Sequence, residues 1–565
     1  MTRRPSPDAG FTGRQMLAMW CLAFSLYALT GTGHPGSPDG TLMFLSARNL
    51  LREGSLAVPR FPGTKGSWKE GPDGQAYVKY APGLVIAHLP MLIVARVARH
   101  LPIVSLPSGE RPTSLREDEF WVQLTSSWIA AFALVLLAAF VTRLGGSRRD
   151  AWVIVLLVAV ASPFWFYARA DSFETLQALT LLGTCFHLHR ARVEADDRWP
   201  LVLAGTFAGA SILAKTFDIV LIPLFVVFIA ASTGGRSAAE KRLRASVRMA
   251  RFLFPVGIAI MLTAFYNHLR FGSVLDSGYD FAVERFDRPF LPGVAKLVLS
   301  PSYGLLPFWP PCLLAVVGFR RQWRRTAAEA LLVVGIFIAL LFLYAKWWAF
   351  SGFGWGPRFL VPAIPLLALL ALPIVTARER RSRAFTFACL TAGIAVQMLV
   401  ATTSHWQQVL YGVYRLADCP ADGRCLDDPR VAPLRVAAWR VEGAWLRAVH
   451  PERFAAHAAR PPWVESYPWR EPDRAAEMQL PNTGLDLWAA PERWRLTKFY
   501  LWLPGREALI PSSPLLIPLF SIAIAGGLLI VRRAIRERPA IAGSGALALE
   551  SANLENRREE GPRGA

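Results

Sequence analysis

Apolar runs of roughly the length that crosses a bilayer recur along this chain, separated by short clusters of arginine. About 20 apolar residues span a membrane as a helix. In hydrocarbon only helices and closed barrels satisfy their own backbone. The runs here are continuous, without the alternation of a barrel strand, and so read as helix. At 565 residues a soluble protein would hold about four domains. The 53% hydrophobic composition and mean hydropathy of +0.32 override that expectation. They specify an α-helical polytopic membrane protein.

The net charge of +21 does not indicate nucleic acid, because the arginines lie in loops between apolar runs. That is the distribution of cytoplasmic loops in a multi-pass protein. The first run, 15–31, follows the basic stretch MTRRPSPDAGFTGR with no small-residue cleavage site, and is expected to be an uncleaved first span. Hydropathy counts thirteen runs, but charge counts twelve spans. Basic clusters at 143–149, 236–251, 320–325, 378–383 and 532–538, with the mixed segment 190–198, all fall inside only if 83–98 does not cross. That run contains Pro90, ends in Arg96 and Arg99, and is expected to lie in the outer interface. The long run 199–232 is expected to be a hairpin of two short helices turning near Lys215 and Asp218. The expected spans are 15–31, 121–142, 151–169, 172–189, 199–214, 218–232, 252–270, 300–319, 328–345, 358–376, 384–404 and 512–531.

This topology gathers separated ionisable residues on the outer side. Asp39, in HPGSPDG, is a candidate base, although Pro-Asp-Gly is also good turn chemistry. Lys79, in AYVKYAPG, is a candidate phosphate ligand or a snorkelling lysine. Asp171, beside Arg169 in YARADSF, is a second candidate acid or a helix cap, and Glu174 is an accessory acid or a helix-start carboxylate. Lys215 and Asp218, in LAKTFD, either pair with each other or serve the site. Arg358, in GFGWGPRFLVPAIP, suits an anionic head group or anchors in the interface with Lys346, Trp347 and Trp348. Two acids with separated cations describe a site for an anionic, lipid-borne substrate, with His34 and Tyr80 as accessory candidates.

Asp39 after the first span, KYAPG, ARADSF, LAKTFD and GWGPRFLVPAIPLL together resemble the GT-C glycosyltransferases, most of all lipid A aminoarabinose transferases and protein O-mannosyltransferases. The resemblance runs over about residues 14–405 and is densest over 30–220. It implies an inverting transfer of a sugar from a polyprenyl-phosphate donor on the periplasmic or extracytoplasmic face of the inner (plasma) membrane. It implies that Asp39 acts as, or close to, the general base, that Lys79 contacts the donor phosphate, and that Asp171 is the acid of the second outer turn; Lys215, Arg358 and Arg169 are further candidate phosphate ligands. Gly40 stands where many relatives carry a second acid, and Ala81-Pro82-Gly83 where Pro-Pro-Gly is usual. A divalent cation between Asp39 and Asp171 is a candidate cofactor. The acceptor is a glycan, lipid or protein hydroxyl.

The expected organisation is a transmembrane catalytic module over 1–404, an outer domain over 405–511, a last span over 512–532 and a disordered inner tail over 533–565. The outer domain holds eight tryptophans, Trp439, Trp463 and Trp494 among them, suited to stacking on sugars, to a small core or to the membrane surface. Cys419 and Cys425 flank PADGR there as a candidate disulfide. Cys21, Cys185, Cys312 and Cys389 fall singly in spans and read as small apolar residues. The competing reading is a transporter or lipid flippase, against which stand the absence of related halves and the gathering of polar residues at one mouth. A non-catalytic scaffold in envelope assembly is the third.

Overall fold

The computed structural model describes residues 10–31, 38–60, 66–99, 113–349, 354–402, 432–458 and 522–529. His34, the Cys419–Cys425 pair, the inner tail and most of the outer domain and last span lie outside the described residues. Of the outer domain, two helices are described, Pro433–Val449 and Pro451–Ala458.

The fold opens with α1 (Gly13–Leu29), started by a reciprocal cap between Thr12 and Gln15. An outer layer follows: α2 (Pro38–Glu53), the hairpin of β1 (Trp68–Glu70) with β2 (Ala76–Val78), and α3 (Gly83–Ala98). The hairpin is antiparallel, with Lys69 opposite Tyr77, and turns through Gly71-Pro72-Asp73-Gly74. The bundle continues with α4 (Thr113–Arg143), α5 (Arg148–Ala159), α6 (Phe164–Arg169), α7 (Phe173–Val193), α8 (Arg198–Ala214), α9 (Ile222–Ala231) and α10 (Ala238–Phe271). It closes with α11 (Phe290–Leu299), α12 (Leu305–Phe308), α13 (Cys312–Arg325), α14 (Ala327–Ala345), α15 (Ile364–Leu370), α16 (Leu372–Val375) and α17 (Arg380–Thr402).

Four of the described helices are long and apolar enough to cross a membrane: Glu117–Arg143, Ala238–Phe271, Ala327–Ala345 and Arg380–Ala401. Several expected spans are broken, and proline explains where. The run 151–169 divides into α5 and α6 around Pro163, and 300–319 divides into α12 and α13 around Pro310 and Pro311. The run 358–376 becomes a 3-10 turn, Arg358–Ala363, followed by α15 and α16, with Pro362, Pro365 and Pro373 along it. A proline removes a helix hydrogen bond and crowds the preceding turn, so each marks a joint. The hairpin expected within 199–232 is present as α8, a 3-10 turn over Thr216–Leu221, and α9.

The large core interleaves aromatics from most of the bundle, with Tyr27, Phe140, Phe164, Phe225, Phe252, Trp309, Tyr344 and Trp355 all fully buried. A second, smaller core ties the outer layer to it: Leu42, Met43 and Phe44 of α2 pack with Val78, Leu84, Val85, Val122 and Phe173. Polar residues divide by helix end. At one end of α4, α7, α8 and α14, Glu194 binds Arg143 and Arg190, Glu329 binds His189 and Arg192, and Asp197 binds Arg248 and Arg251. At the other end of α7 and α8 stand Glu174 and Lys215. Arg143, Arg190, Arg192, Arg248 and Arg251 and the candidate site therefore occupy opposite ends of the bundle.

Gly83, the last residue of KYAPG, lets α3 lie directly on the end of α8. A Cβ there would stand 2.6 Å from the Leu213 carbonyl oxygen, so only glycine brings the two motifs this close. Gly83→Ala is expected to cost about 1–3 kcal/mol by forcing two backbones apart. Denaturant unfolding in detergent, read against wild type, checks this; an unchanged midpoint would show that α3 shifts without cost.

Candidate active site

Asp39 stands in the first turn of α2, preceded by Pro38. Proline at a helix start and a carboxylate in its first turn both match the unsatisfied N–H groups there. The turn suggested by Pro-Asp-Gly is thus the beginning of a helix. One carboxylate oxygen, Oδ1, accepts from Ser67 Oγ at 2.8 Å and from the Tyr80 hydroxyl at 2.7 Å. Burial, reinforced by the Asp39 charge, pushes the Tyr80 phenol well above its ordinary range and keeps it a donor. The other oxygen, Oδ2, lies 3.4 Å from both terminal nitrogens of Arg358. It is the more loosely held side of the carboxylate.

Arg358 joins Asp39 to a second acid, Glu174, which accepts from its Nε. Glu174 is fully buried in the first turn of α7, and its Oε2 has no hydrogen-bond partner among the described residues. Lys215 caps the end of α8 and points its ammonium into a cage of rings. Nζ lies 3.9 Å from the centre of Phe359, 4.5 Å from Tyr344 and 5.1 Å from Phe173, with no hydrogen-bond partner among the described residues. The Arg358 guanidinium lies over two of the same rings, 5.0 Å from Phe173 and 5.8 Å from Phe359. Aromatic faces offset part of the cost of burying a cation. They leave its hydrogen-bonding capacity unused.

The remaining candidates are distributed differently. Lys79, directly after β2, pairs with Glu284 from the segment between α10 and α11, and lies 5.6 Å from the Tyr80 ring and 5.2 Å from Tyr279. Asp171 binds His88 of α3, Nε2 to Oδ1 at 2.9 Å, with both side chains fully buried. Arg169 donates to the carbonyls of Thr30, at 3.1 Å, and of Val400 and Ala401, tying α6 to the ends of α1 and α17. Asp218 does not pair with Lys215; it accepts from Gln177 Nε2 at 2.6 Å. The arrangement brings Asp39, Tyr80, Glu174, Lys215 and Arg358 together, with Lys79 beside Tyr80.

Sequence reading overlooked Ser67, Glu284, Tyr279 and Arg270. Arg270 is buried at the end of α10, stacks 3.8 Å from the Tyr266 ring, and donates to the carbonyls of Val78 and Tyr80. It thereby fixes the backbone on both sides of Lys79. Its sequence setting, a single arginine at the end of an apolar run, matches that of any span-end arginine and carries no signal of this role.

Of the two acids offered for a divalent cation, Asp171 gives Oδ1 to His88 and keeps Oδ2 without a partner among the described residues, while Asp39 is held by Ser67, Tyr80 and Arg358. Among the described residues no three His, Cys, Asp or Glu side chains gather to hold a metal.

Residues 112–261 match the family of dolichyl-phosphate-mannose-protein mannosyltransferases. The chain's resemblance to the GT-C glycosyltransferases is borne out over this stretch, which holds Asp171, Glu174, Lys215 and Asp218. The match, on a helical polytopic chain, supports a membrane glycosyltransferase. No curated protein sequence matches the chain. Among solved structures, ArnT from Cupriavidus metallidurans bound to undecaprenyl phosphate is 13% identical, over 78% of this chain and 73% of its own, with a TM-score of 0.46. The oligosaccharyltransferase of Archaeoglobus fulgidus in its apo form is 14% identical, over 80% of this chain and 60% of its own, with a TM-score of 0.40. The archaeal AglB in complex with an inhibitory peptide and a dolichol-phosphate is 13% identical, over 79% and 59%, also with a TM-score of 0.40.

Proposed function

We propose that the protein is an inverting glycosyltransferase that moves a sugar from a polyprenyl-phosphate donor to a hydroxyl of an envelope glycan, lipid or protein, with its site facing the periplasm from the inner membrane. The observation that carries this reading is the Asp39–Arg358–Glu174 bridge with the Lys215 ammonium on the same two rings. The donor's phosphodiester is a monoanion that leaves as a dianionic polyprenyl phosphate, and the Arg358 guanidinium and the unpartnered Lys215 ammonium lie where that added charge can be met.

The reaction follows from the parts. The acceptor oxygen attacks the anomeric carbon from the face opposite the phosphate, and its proton passes to Asp39 Oδ2. The bond between anomeric carbon and phosphate oxygen breaks, its electron pair staying on the phosphate, where Arg358 and Lys215 stabilise the added charge. A glycosyl phosphate already carries a good leaving group, so alignment, charge stabilisation and one base suffice. Tyr80 and Ser67 hold Asp39 through Oδ1 and leave Oδ2 for the proton. Lys79 reaches the phosphate by exchanging Glu284 for it.

The test is a panel of polyprenyl-phosphate sugars offered to the purified protein in vesicles. Release of polyprenyl phosphate coupled to glycosylation of an acceptor is the expected result. Absence of turnover and of donor binding for every member, together with vectorial uptake of a lipid or solute, would overturn the reading in favour of a transporter.

A further inference from the structure

Four arginines gather in the outer layer, away from the reaction centre, where α2 and α3 meet the start of α4. Arg48 Nε and Arg52 Nη2 donate to Asp118 Oδ2, at 2.8 and 3.1 Å, and Arg99 reaches Asp118 Oδ1. Arg99 Nε also binds Glu117 Oε2 at 2.9 Å, and Arg96 Nη2 donates to the Leu51 carbonyl at 2.9 Å. Among the described residues, two carboxylates, Glu117 and Asp118, pair with these four guanidinium groups. Asp118 is buried and saturated by three of them, and every one of the four keeps guanidinium nitrogens without a partner among the described residues. The crowding is felt: Arg52 is disfavoured as a cation by burial and by Arg48, Arg99 and Arg96.

Beside this surplus charge runs an apolar face. Ile86, Ile93, Val94 and Val97 of α3 are 40–59% exposed, while Leu84, Val85, Leu92 and Ala95 on the opposite side are buried. Arg96 lies on the exposed face between Ile93 and Val97. Guanidinium groups with unused donors beside an apolar face at a membrane surface attract an anionic head group.

We propose that the Arg48, Arg52, Arg96 and Arg99 cluster binds the phosphate of an anionic phospholipid, whose acyl chains cover the exposed face of α3. Guanidinium forks suit a phosphate diester, and the apolar face supplies what a free phosphate would not use. The site lies apart from the Asp39 centre and takes a lipid that is neither donor nor acceptor. It rests on the outer placement of this layer but on no step of the transfer reaction.

The test measures lipid retained by the full-length protein in detergent, by native mass spectrometry, against phosphatidylglycerol and phosphatidylcholine. Two surplus charges at a membrane surface correspond to a preference of about tenfold or more for the anionic lipid. The arginine clusters at the other end of the bundle also attract anionic lipid, so the readout is the difference from R52Q/R96Q, which leaves Arg48 and Arg99 on Asp118. That variant should lose about tenfold of the preference, with phosphatidylcholine retention unchanged. Inorganic phosphate should not compete at concentrations where the lipid binds; if it does, the site is one for free phosphate and the proposal fails. A variant with the full wild-type preference also overturns it. Should R52Q/R96Q not fold, R96Q alone, whose side chain bonds only the Leu51 carbonyl, must lose about fivefold of the preference.

Discussion

Asp39→Asn is expected to lower the rate of sugar transfer by about 10²–10⁴-fold, the range for loss of a general base, while leaving donor affinity within a few fold. The asymmetry of its contacts is the reason. Asparagine keeps an oxygen for Ser67 and Tyr80, so α2 and the hairpin stay in place. What disappears is the anionic Oδ2, held only at 3.4 Å by Arg358 and therefore available to the acceptor proton. Single-turnover rates at saturating donor separate the chemical step from binding. Near-wild-type turnover in a folded Asp39→Asn protein would remove Asp39 from the chemistry and direct attention to Glu174, the other carboxylate on Arg358.

The second large effect concerns that bridge. Arg358→Met should destabilise the protein by about 3–5 kcal/mol, because it leaves the fully buried Glu174 carboxylate without its counterion. Removing both charges tests the cause: Glu174→Gln with Arg358→Met should recover most of the lost stability, since no uncompensated charge remains buried. The double variant should nevertheless bind a polyprenyl-phosphate sugar at least tenfold more weakly than wild type, having lost one of the two cations over Phe173 and Phe359. Unfolding midpoints in detergent and a donor titration read the two quantities independently. If the double variant binds donor normally, Lys215 and Lys79 carry the phosphate and Arg358 is structural. If Arg358→Met alone is as stable as wild type, the bridge contributes nothing to stability.

The neighbouring acids Asp171 and Glu174 show how far sequence reading reached. Both lie at the turn between two apolar runs, three residues apart, and charge counting places both at the same level. Asp171 precedes α7 and faces His88 of α3, whereas Glu174 lies in the first turn of the helix and meets Arg358. The motif resemblance favoured Asp171 as the partner of Asp39, and the contacts put Glu174 there. Arg169 differs in a similar way. Beside an acid in a polar turn it reads as a phosphate ligand, but its guanidinium is spent on carbonyls at the ends of α1 and α17, more than a hundred residues away on either side.

The sequence by itself determined the helical polytopic class, the hairpin around Lys215, the helix over 83–98, and the gathering of Asp39, Lys79, Glu174, Lys215 and Arg358 at one end of the bundle. Those properties follow from hydropathy and charge, which set how deep a residue sits along the helix axis. Only the tertiary structure decided that Arg358 bridges Asp39 and Glu174, that Lys79 is held by Glu284, that Lys215 sits among rings with no carboxylate bound to it among the described residues, and that Arg270 fixes the backbone beside Lys79. Those depend on rotation about each helix axis and on which helices are neighbours. Both are settled by packing between segments far apart in the chain, as where Gly83 meets Leu213, and no single apolar run records them.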